Sequence, residues 1–163
     1  MLAQHNAIFI GQAVAYPGTA QSVTFENVPD HQKLEFPVAE NAQLGFCTGL
    51  AMAGLLPVCV YPRINFMLEA LPQLIQHLDK IPLFSEFRPK VIIRTAVATD
   101  NPLDPGPQHL NDYSDAIDAM LDTVKVVKLK EAYQILPAYE KALKDDWSTI
   151  LIEYSEKLLE EKK

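Results

Sequence analysis

Short apolar runs alternate with amphipathic stretches along most of the chain. Six runs are rich in β-branched and other apolar residues, as buried strands are: Ala7–Ile10, Leu34–Val38, Pro57–Tyr61, Val91–Thr95, Val124–Lys128 and Thr149–Glu153. Helical patterns lie between them, over residues 40–53, 65–79, 111–121 and 130–144. Short apolar strands separated by amphipathic helices predict an α/β fold, a parallel sheet with helices on both faces in three layers.

The length of the chain indicates one domain. At 163 residues the chain fits a single hydrophobic core. We find no internal repeat, low-complexity segment or interdomain linker in the sequence. We therefore predict one domain over residues 1–155 and a charged C-terminal tail over residues 156–163.

One uncharged run has the length of a membrane span. Residues 42–61 include no charged side chain, and twenty such residues can cross a bilayer. Gly54 and Pro57, however, divide the run into a helix, a turn and a short strand, so we interpret it as buried in the protein. A helix that is apolar on every side must be buried on every side. In so small a domain, this predicts that a second chain covers part of the helix.

Charge and composition limit the classes of partner that we expect this chain to bind. The chain carries 21 acidic residues against 14 lysines and arginines, a formal net charge of −7, and no basic stripe is visible. We therefore expect neither a nucleic-acid partner nor a membrane partner. Two cysteines without a signal-peptide pattern favour the cytoplasm. His5 and His31 have no companions at metal-ligand spacing, so we expect no metal site on this chain.

Glu40 follows Phe36-Pro37-Val38-Ala39, where a predicted strand gives way to the uncharged helix. An acid at a helix start is favoured by the helix macrodipole, which is a purely structural role. The same position lies at the carboxyl end of a parallel strand, where open α/β sheets bind ligands. A carboxyl there can exchange a proton with a ligand nitrogen. The position of Glu40 leaves both interpretations open.

Two glycines predict close packing on that helix. Gly45 and Gly49 are four residues apart, so they share one helix face. Each costs roughly 1 kcal/mol relative to alanine in a helix interior. Close approach of another element would offset this cost. The chain has only six glycines, so two on one helix face favour such an approach.

Two further side chains have both structural and functional interpretations. Phe66 follows a predicted strand and either presents its ring to an aromatic heterocycle or belongs to the core. His109 ends a loop over residues 99–109 that three prolines stiffen. His109 either acts on an anion or a proton near neutral pH, or caps the helix that follows.

Together these segments resemble the pyrimidine-binding domain of thiamine-diphosphate enzymes, closest to the β subunit of 2-oxoacid dehydrogenase E1 components, in the transketolase-like group. The resemblance spans nearly the whole chain, from Phe9 to about Tyr154. Its motifs are Phe9-Ile10-Gly11-Gln12, then Phe36-Pro37-Val38-Ala39-Glu40, then Gly45, Gly49, Gly54 and Pro57, then Asn65-Phe66 and Gln73, and finally Gly106-Pro107-Gln108-His109.

The resemblance implies roles for individual residues. Glu40 matches the family's catalytic glutamate, whose carboxyl hydrogen-bonds N1′ of the cofactor's aminopyrimidine and helps deprotonate the thiazolium C2. Phe66 matches the aromatic residue stacked on the pyrimidine. Gln12 is expected in the cofactor pocket, and Pro62 stands where a larger apolar side chain usually contacts the cofactor. His109 matches the active-site histidine that faces the substrate.

The same resemblance implies an interface with a partner subunit, and it implies that the diphosphate-binding half of the cofactor site is not on this chain. Gly45 and Gly49 lie on the helix at which the two halves of such an enzyme meet. The chain has no Gly-Asp-Gly followed by an Asn pair, the segment that holds Mg²⁺ and the diphosphate in this superfamily. Without oxygen ligands for Mg²⁺, it should bind only the pyrimidine half of the cofactor. We therefore expect a partner subunit that carries the diphosphate-binding domain, in a homodimer or a heterotetramer.

The implied activity is cleavage of a carbon–carbon bond beside a carbonyl. The substrate is then a 2-oxo acid, decarboxylated as in an E1 oxidoreductase, or a ketose, whose ketol group is moved as in a transferase. The alternative is a non-catalytic assembly or regulatory module that retains the fold.

Overall fold

The computed structural model describes residues 1–99 and 104–154, and within them six parallel strands form one sheet in the order β2-β1-β3-β4-β6-β5. The strands are β1 (Ile8–Gly11), β2 (Lys33–Glu35), β3 (Pro57–Val60), β4 (Ile92–Val97), β5 (Lys125–Leu129) and β6 (Thr149–Tyr154). The predicted C-terminal tail and residues 100–103 of the proline-containing loop lie outside the described residues. The predicted parallel α/β fold is confirmed.

The direction of strand addition reverses at β1. Phe9 of β1 pairs with Lys33 of β2 on one side and with Val58 of β3 on the other. The chain therefore leaves β1 for the sheet edge and returns past it to build β3 and β4. In open parallel sheets, the carboxyl ends of the strands at such a reversal border a crevice that binds ligands.

Helices and tighter turns connect the strands. The α-helices are α1 (Ala20–Val23), α2 (Glu40–Met52), α3 (Leu71–Gln73), α4 (Ile81–Phe84), α5 (Ser114–Asp118) and α6 (Ala132–Lys144). Short 3₁₀ helices cover Leu2–His5, Asp30–Gln32, Ile64–Ala70 and Pro107–His109, and a π-helical turn covers Leu74–Leu78.

Two predicted helices differ from the structure. The single helix predicted over residues 65–79 is instead a succession of 3₁₀, α and π turns. Pro72 has no backbone N–H, so a continuous α-helix would lose a hydrogen bond there. The helix predicted over residues 111–121 is shorter because the Asp112 carboxylate accepts the backbone N–H of Ser114, and α5 starts only there.

The core consists of two apolar clusters on opposite faces of the sheet. Successive residues of each strand point to opposite faces, so Phe9 belongs to one cluster and Ile10 to the other. Helix α2 covers the Ile10 face with Leu44, and α6 covers the Phe9 face with Ala142. The predicted three layers are confirmed. No helix within residues 1–99 and 104–154 is long and apolar enough to cross a membrane.

Candidate functional site

Glu40 is the first residue of α2, and its side chain is buried. Only 8% of the residue is exposed. Its Oε1 accepts a hydrogen bond from Gln12 Nε2 at 3.3 Å, and its backbone carbonyl accepts one from the Tyr61 hydroxyl at 3.0 Å. Burial raises the pKa of the Tyr61 phenol far above its ordinary value, so this hydroxyl stays a donor. The structure thus brings together the two predicted residues Gln12 and Glu40.

Glu35 holds the loop that carries Gln12. Its carboxylate accepts the backbone N–H groups of Ala13, Ala15 and Tyr16 at 2.6, 2.8 and 3.0 Å. Ala13 has φ +57°, in the left-handed region that non-glycine residues seldom adopt. Such a conformation persists only where its surroundings fix it. Three charge-assisted hydrogen bonds from one carboxylate supply that constraint.

Gln43 anchors the start of α2 over the sheet. Its side chain is fully buried, and Nε2 donates to Val60 O at 3.0 Å, with Ile10 O at 3.4 Å and Cys59 Sγ at 3.2 Å as further acceptors. These acceptors belong to β1 and β3, so one amide ties the helix to both strands beside the topological reversal. Sequence analysis did not identify Glu35 or Gln43.

Phe66 and His109 form a second pair of predicted residues. Their ring centroids lie 5.4 Å apart with an interplanar angle of 43°. Both side chains are half-buried. His109 Nδ1 and Asn65 Oδ1 are buried and have no hydrogen-bond partner among the described residues. Unpaired buried polar atoms are rare in folded proteins, and they mark a place where a polar ligand group can bind.

The candidate residues follow four neighbouring strands of the sheet. Gln12 follows β1, Glu40 follows β2, Pro62 and Phe66 follow β3, and His109 follows β4. Parallel strands end at the same edge, so all five lie at the carboxyl edge of the sheet. Helix α2 packs directly on the 3₁₀ helix that carries Phe66. Pro62 is half-buried in the loop between β3 and that 3₁₀ helix.

The two glycines of α2 have different surroundings. A Cβ added at Gly45 would lie 3.3 Å from the Gln73 side chain, so the close packing predicted there is present within this chain. A Cβ added at Gly49 would meet nothing within 4 Å. Near Gly49, Phe46 and Met52 are each 42% exposed. The uncharged helix is therefore buried on one side only, and its cover by a second chain stays a prediction.

Two curated proteins resemble this chain in sequence, while no model of a known protein family matches it. The pyruvate dehydrogenase E1 component subunit beta of Cyanidium caldarium is 32% identical over 94 residues, 55% of this chain and 29% of that protein. The mitochondrial subunit beta of Caenorhabditis elegans is 28% identical over 124 residues, 76% of this chain and 35% of that protein. The chain thus spans about a third of the length of the curated relatives it matches.

Solved structures agree with this resemblance. A split-gene transketolase, solved as an inactive β4 tetramer, superposes with a TM-score of 0.72 at 16% identity, over 94% of this chain and 47% of that one. The chain shares the fold of this transketolase and is similar in sequence to E1 β subunits. A transketolase from Campylobacter jejuni superposes on this chain with a TM-score of 0.71 at 12% identity, over 91% of this chain and 22% of that one. The family resemblance read from the sequence is confirmed.

The described part of the chain contains no cluster of metal-ligating side chains. Residues 1–99 and 104–154 contain no group of three or more His, Cys, Asp or Glu side chains arranged to hold a metal ion. Cys47 and Cys59 are buried free thiols. The predicted site residues at the carboxyl edge of the sheet include the carboxyl of Glu40, the imidazole of His109, the amide of Gln12 and the ring of Phe66.

Proposed function

We propose that this chain supplies the pyrimidine-binding half of a split thiamine-diphosphate-dependent enzyme, in which Glu40 acts on the aminopyrimidine. The observation that carries the proposal is the buried Glu40 carboxyl at the carboxyl edge of the sheet. Gln12 is its one hydrogen-bond donor among the described residues, so its second oxygen is open to a ligand nitrogen. The relationship to the E1 β subunit supports the same assignment.

The other site residues fit this cofactor half. Phe66 presents a flat, half-buried ring, against which a pyrimidine can stack. Gln12 Nε2 keeps the Glu40 carboxyl oriented, so that it can hydrogen-bond a ring nitrogen and exchange a proton with it. In this proposal His109, which lies against Phe66 and whose buried Nδ1 has no partner among the described residues, hydrogen-bonds a substrate oxygen. When bound, thiamine diphosphate supplies the carbon nucleophile that attacks a substrate carbonyl.

A partner chain completes the proposed enzyme. We infer that it holds the diphosphate and Mg²⁺, for which this chain has no recognisable sequence motif. The split-gene transketolase supports this inference, because its tetramer of β chains is inactive. The exposed face of α2 around Phe46, Gly49 and Met52 is the surface we assign to that contact. The reaction is then decarboxylation of a 2-oxo acid or ketol transfer from a ketose.

Substitution of Glu40 tests the proposal. The affinity-tagged chain is purified with its partner, and the complex is assayed for thiamine-diphosphate-dependent oxidation of 2-oxo acids and for ketol transfer. Glu40→Gln should assemble normally and lose activity by about 10²–10⁴-fold, the usual contribution of a positioned proton-transfer group. Glu86→Gln, at an exposed acid away from the site, is the matched control and should retain full activity. A Glu40→Gln complex with activity near that of the control would contradict the proposal.

Binding by the isolated chain provides a second test. Calorimetric titration with thiamine diphosphate and Mg²⁺ should give no measurable heat of binding without the partner, and saturable binding with it. A tight 1:1 site on the isolated chain would show that no partner is needed.

A further inference from the structure

A cavity lies on the face of the sheet opposite α2, away from the site described above. Its volume is about 310 Å³, within the range of small-molecule sites. Its apolar wall includes Phe9, Phe25, Val28 and Val58. Its polar wall includes Arg94 from β4 and Glu153 from β6.

Arg94 and Glu153 form a two-point ion pair at this cavity. Arg94 Nε donates to Glu153 Oε1 at 3.0 Å, and Nη2 donates to Oε2 at 3.0 Å. The Tyr139 hydroxyl of α6 also donates to Glu153 Oε1, at 2.8 Å. Both charged side chains are mostly buried, with 18% and 15% exposed. The Arg94 guanidinium also lies over the Phe25 ring, 5.2 Å from its centroid.

Strand pairing does not require this ion pair. β4 and β6 are already hydrogen-bonded in register from Ile92 opposite Thr149 to Val97 opposite Tyr154. Burying an ion pair costs desolvation, and apolar side chains of similar volume often serve stability as well or better. A buried guanidinium beside an open cavity is therefore better explained by recognition of a ligand.

The hydrogen-bonding groups of Arg94 indicate what the ligand carries. A guanidinium has five N–H donors. Among the described residues three are used, two by Glu153 and one by Thr24 Oγ1 at 2.7 Å. The other two remain for a ligand acceptor. Glu153 already neutralises Arg94 and repels a second anion at this distance, so an uncharged carbonyl is favoured over a carboxylate.

We propose that this cavity binds a small, uncharged aromatic molecule bearing a carbonyl or amide group. Its carbonyl oxygen accepts a hydrogen bond from Arg94, and its ring packs against Phe9, Phe25 and Val28. This assignment is independent of thiamine diphosphate and of the partner chain, because the cavity belongs to the opposite sheet face.

Titration of the full chain with benzamide tests the proposal. Amide chemical shifts in two-dimensional NMR should show saturable binding with a dissociation constant on the order of millimolar, as expected for so few non-hydrogen atoms. The shifts should centre on Phe25, Asn27 and Val28, which line the cavity. Benzoate and toluene, which lack the neutral carbonyl, should each bind at least about tenfold more weakly.

Two filling variants and one control complete the experiment. Val28→Trp and Ala3→Met enlarge side chains of the cavity wall and should each weaken benzamide binding at least about tenfold. Two variants are used so that one that fails to fold leaves the other. Leu136→Trp, at an exposed position of α6 outside the cavity wall, should leave binding unchanged. The proposal is overturned if benzamide shows no saturation, if benzoate binds equally well, or if folded filling variants bind like the parent chain.

Discussion

Asp79 is a fully buried carboxylate that joins the segment carrying Phe66 to the loop before β5. Its carboxylate accepts hydrogen bonds from the backbone N–H groups of Asp122, Thr123 and Val124 at 3.0, 2.7 and 2.9 Å. It also forms an ion pair with Lys80 Nζ at 2.8 Å. Burial alone raises the pKa of this carboxyl, but the hydrogen bonds from Lys80 and the backbone outweigh burial and lower the pKa from 3.8 to about 2.

This pKa shift fixes the expected cost of Asp79→Asn. A pKa lower in the folded than in the unfolded chain stabilises the fold above the unfolded pKa. That stabilisation is lost as the pH falls towards the folded pKa. A shift from 3.8 to about 2 corresponds to between about 2 and 3 kcal/mol at pH 7 and to roughly half of that at pH 3. Asp79→Asn should therefore lower the free energy of unfolding by at least about 2 kcal/mol at pH 7, and by clearly less at pH 3.

Urea denaturation followed by circular dichroism at both pH values measures this difference. Asp122→Asn is the matched control, since the Asp122 side chain is 63% exposed and pairs with the same Lys80. It should cost less than about 1 kcal/mol, as exposed ion pairs do. A loss for Asp79→Asn that matches the control at pH 7, or does not shrink between pH 7 and pH 3, would refute the reasoning.

Two further substitutions test the loop and the helix face of the site. Glu35→Gln should destabilise the chain by about 1–3 kcal/mol, because it removes the charge that accepts three backbone N–H groups. Backbone hydrogen exchange should speed up at Ala13 and Ala15. The control Glu26→Gln, at an exposed acid, should change neither the free energy of unfolding nor the exchange rates. Unchanged exchange in Glu35→Gln would show that the Glu35 carboxylate does not hold this loop. Gly49→Arg should leave the unfolding free energy of the isolated chain within about 1 kcal/mol, since its Cβ enters open space. The same Gly49→Arg variant should no longer associate with the partner chain in analytical ultracentrifugation. Normal association would show that the interface does not include this face of α2.

The sequence pattern predicts the strands well where apolar runs are buried on both faces. All four residues of β3 are buried, and its predicted span differs from the observed one by a single residue. The second strand was predicted over Leu34–Val38, but β2 ends at Glu35. Its partner β1 ends at Gly11, and the last bond runs from Phe36 N to Gly11 O. Pro37 has no N–H with which to continue. The neighbouring strand, which lies far away in sequence, thus sets the end of β2.

The candidate site likewise contains residues that the sequence identifies and residues that it does not. Glu40 was identifiable because it is an acidic residue at the start of an otherwise uncharged helix, and this pattern is visible within the segment itself. Glu35 and Gln43 were not, because their hydrogen bonds reach backbone groups 22 and 17 residues away. Neither side chain interrupts any periodicity in its own segment. Long-range hydrogen bonds of this kind leave no pattern that a single sequence can show.

The placement of the candidate residues after four adjacent strands has a practical consequence for redesign. The candidate residues lie on four separate connections, and the sheet beneath fixes where each connection begins. Under the proposed function, a graft that exchanges only the segment leading to His109 should alter the contacts to the substrate, while Glu40 and Phe66 follow other strands. The proposed function therefore predicts that substrate choice and cofactor contact can be varied separately on this fold.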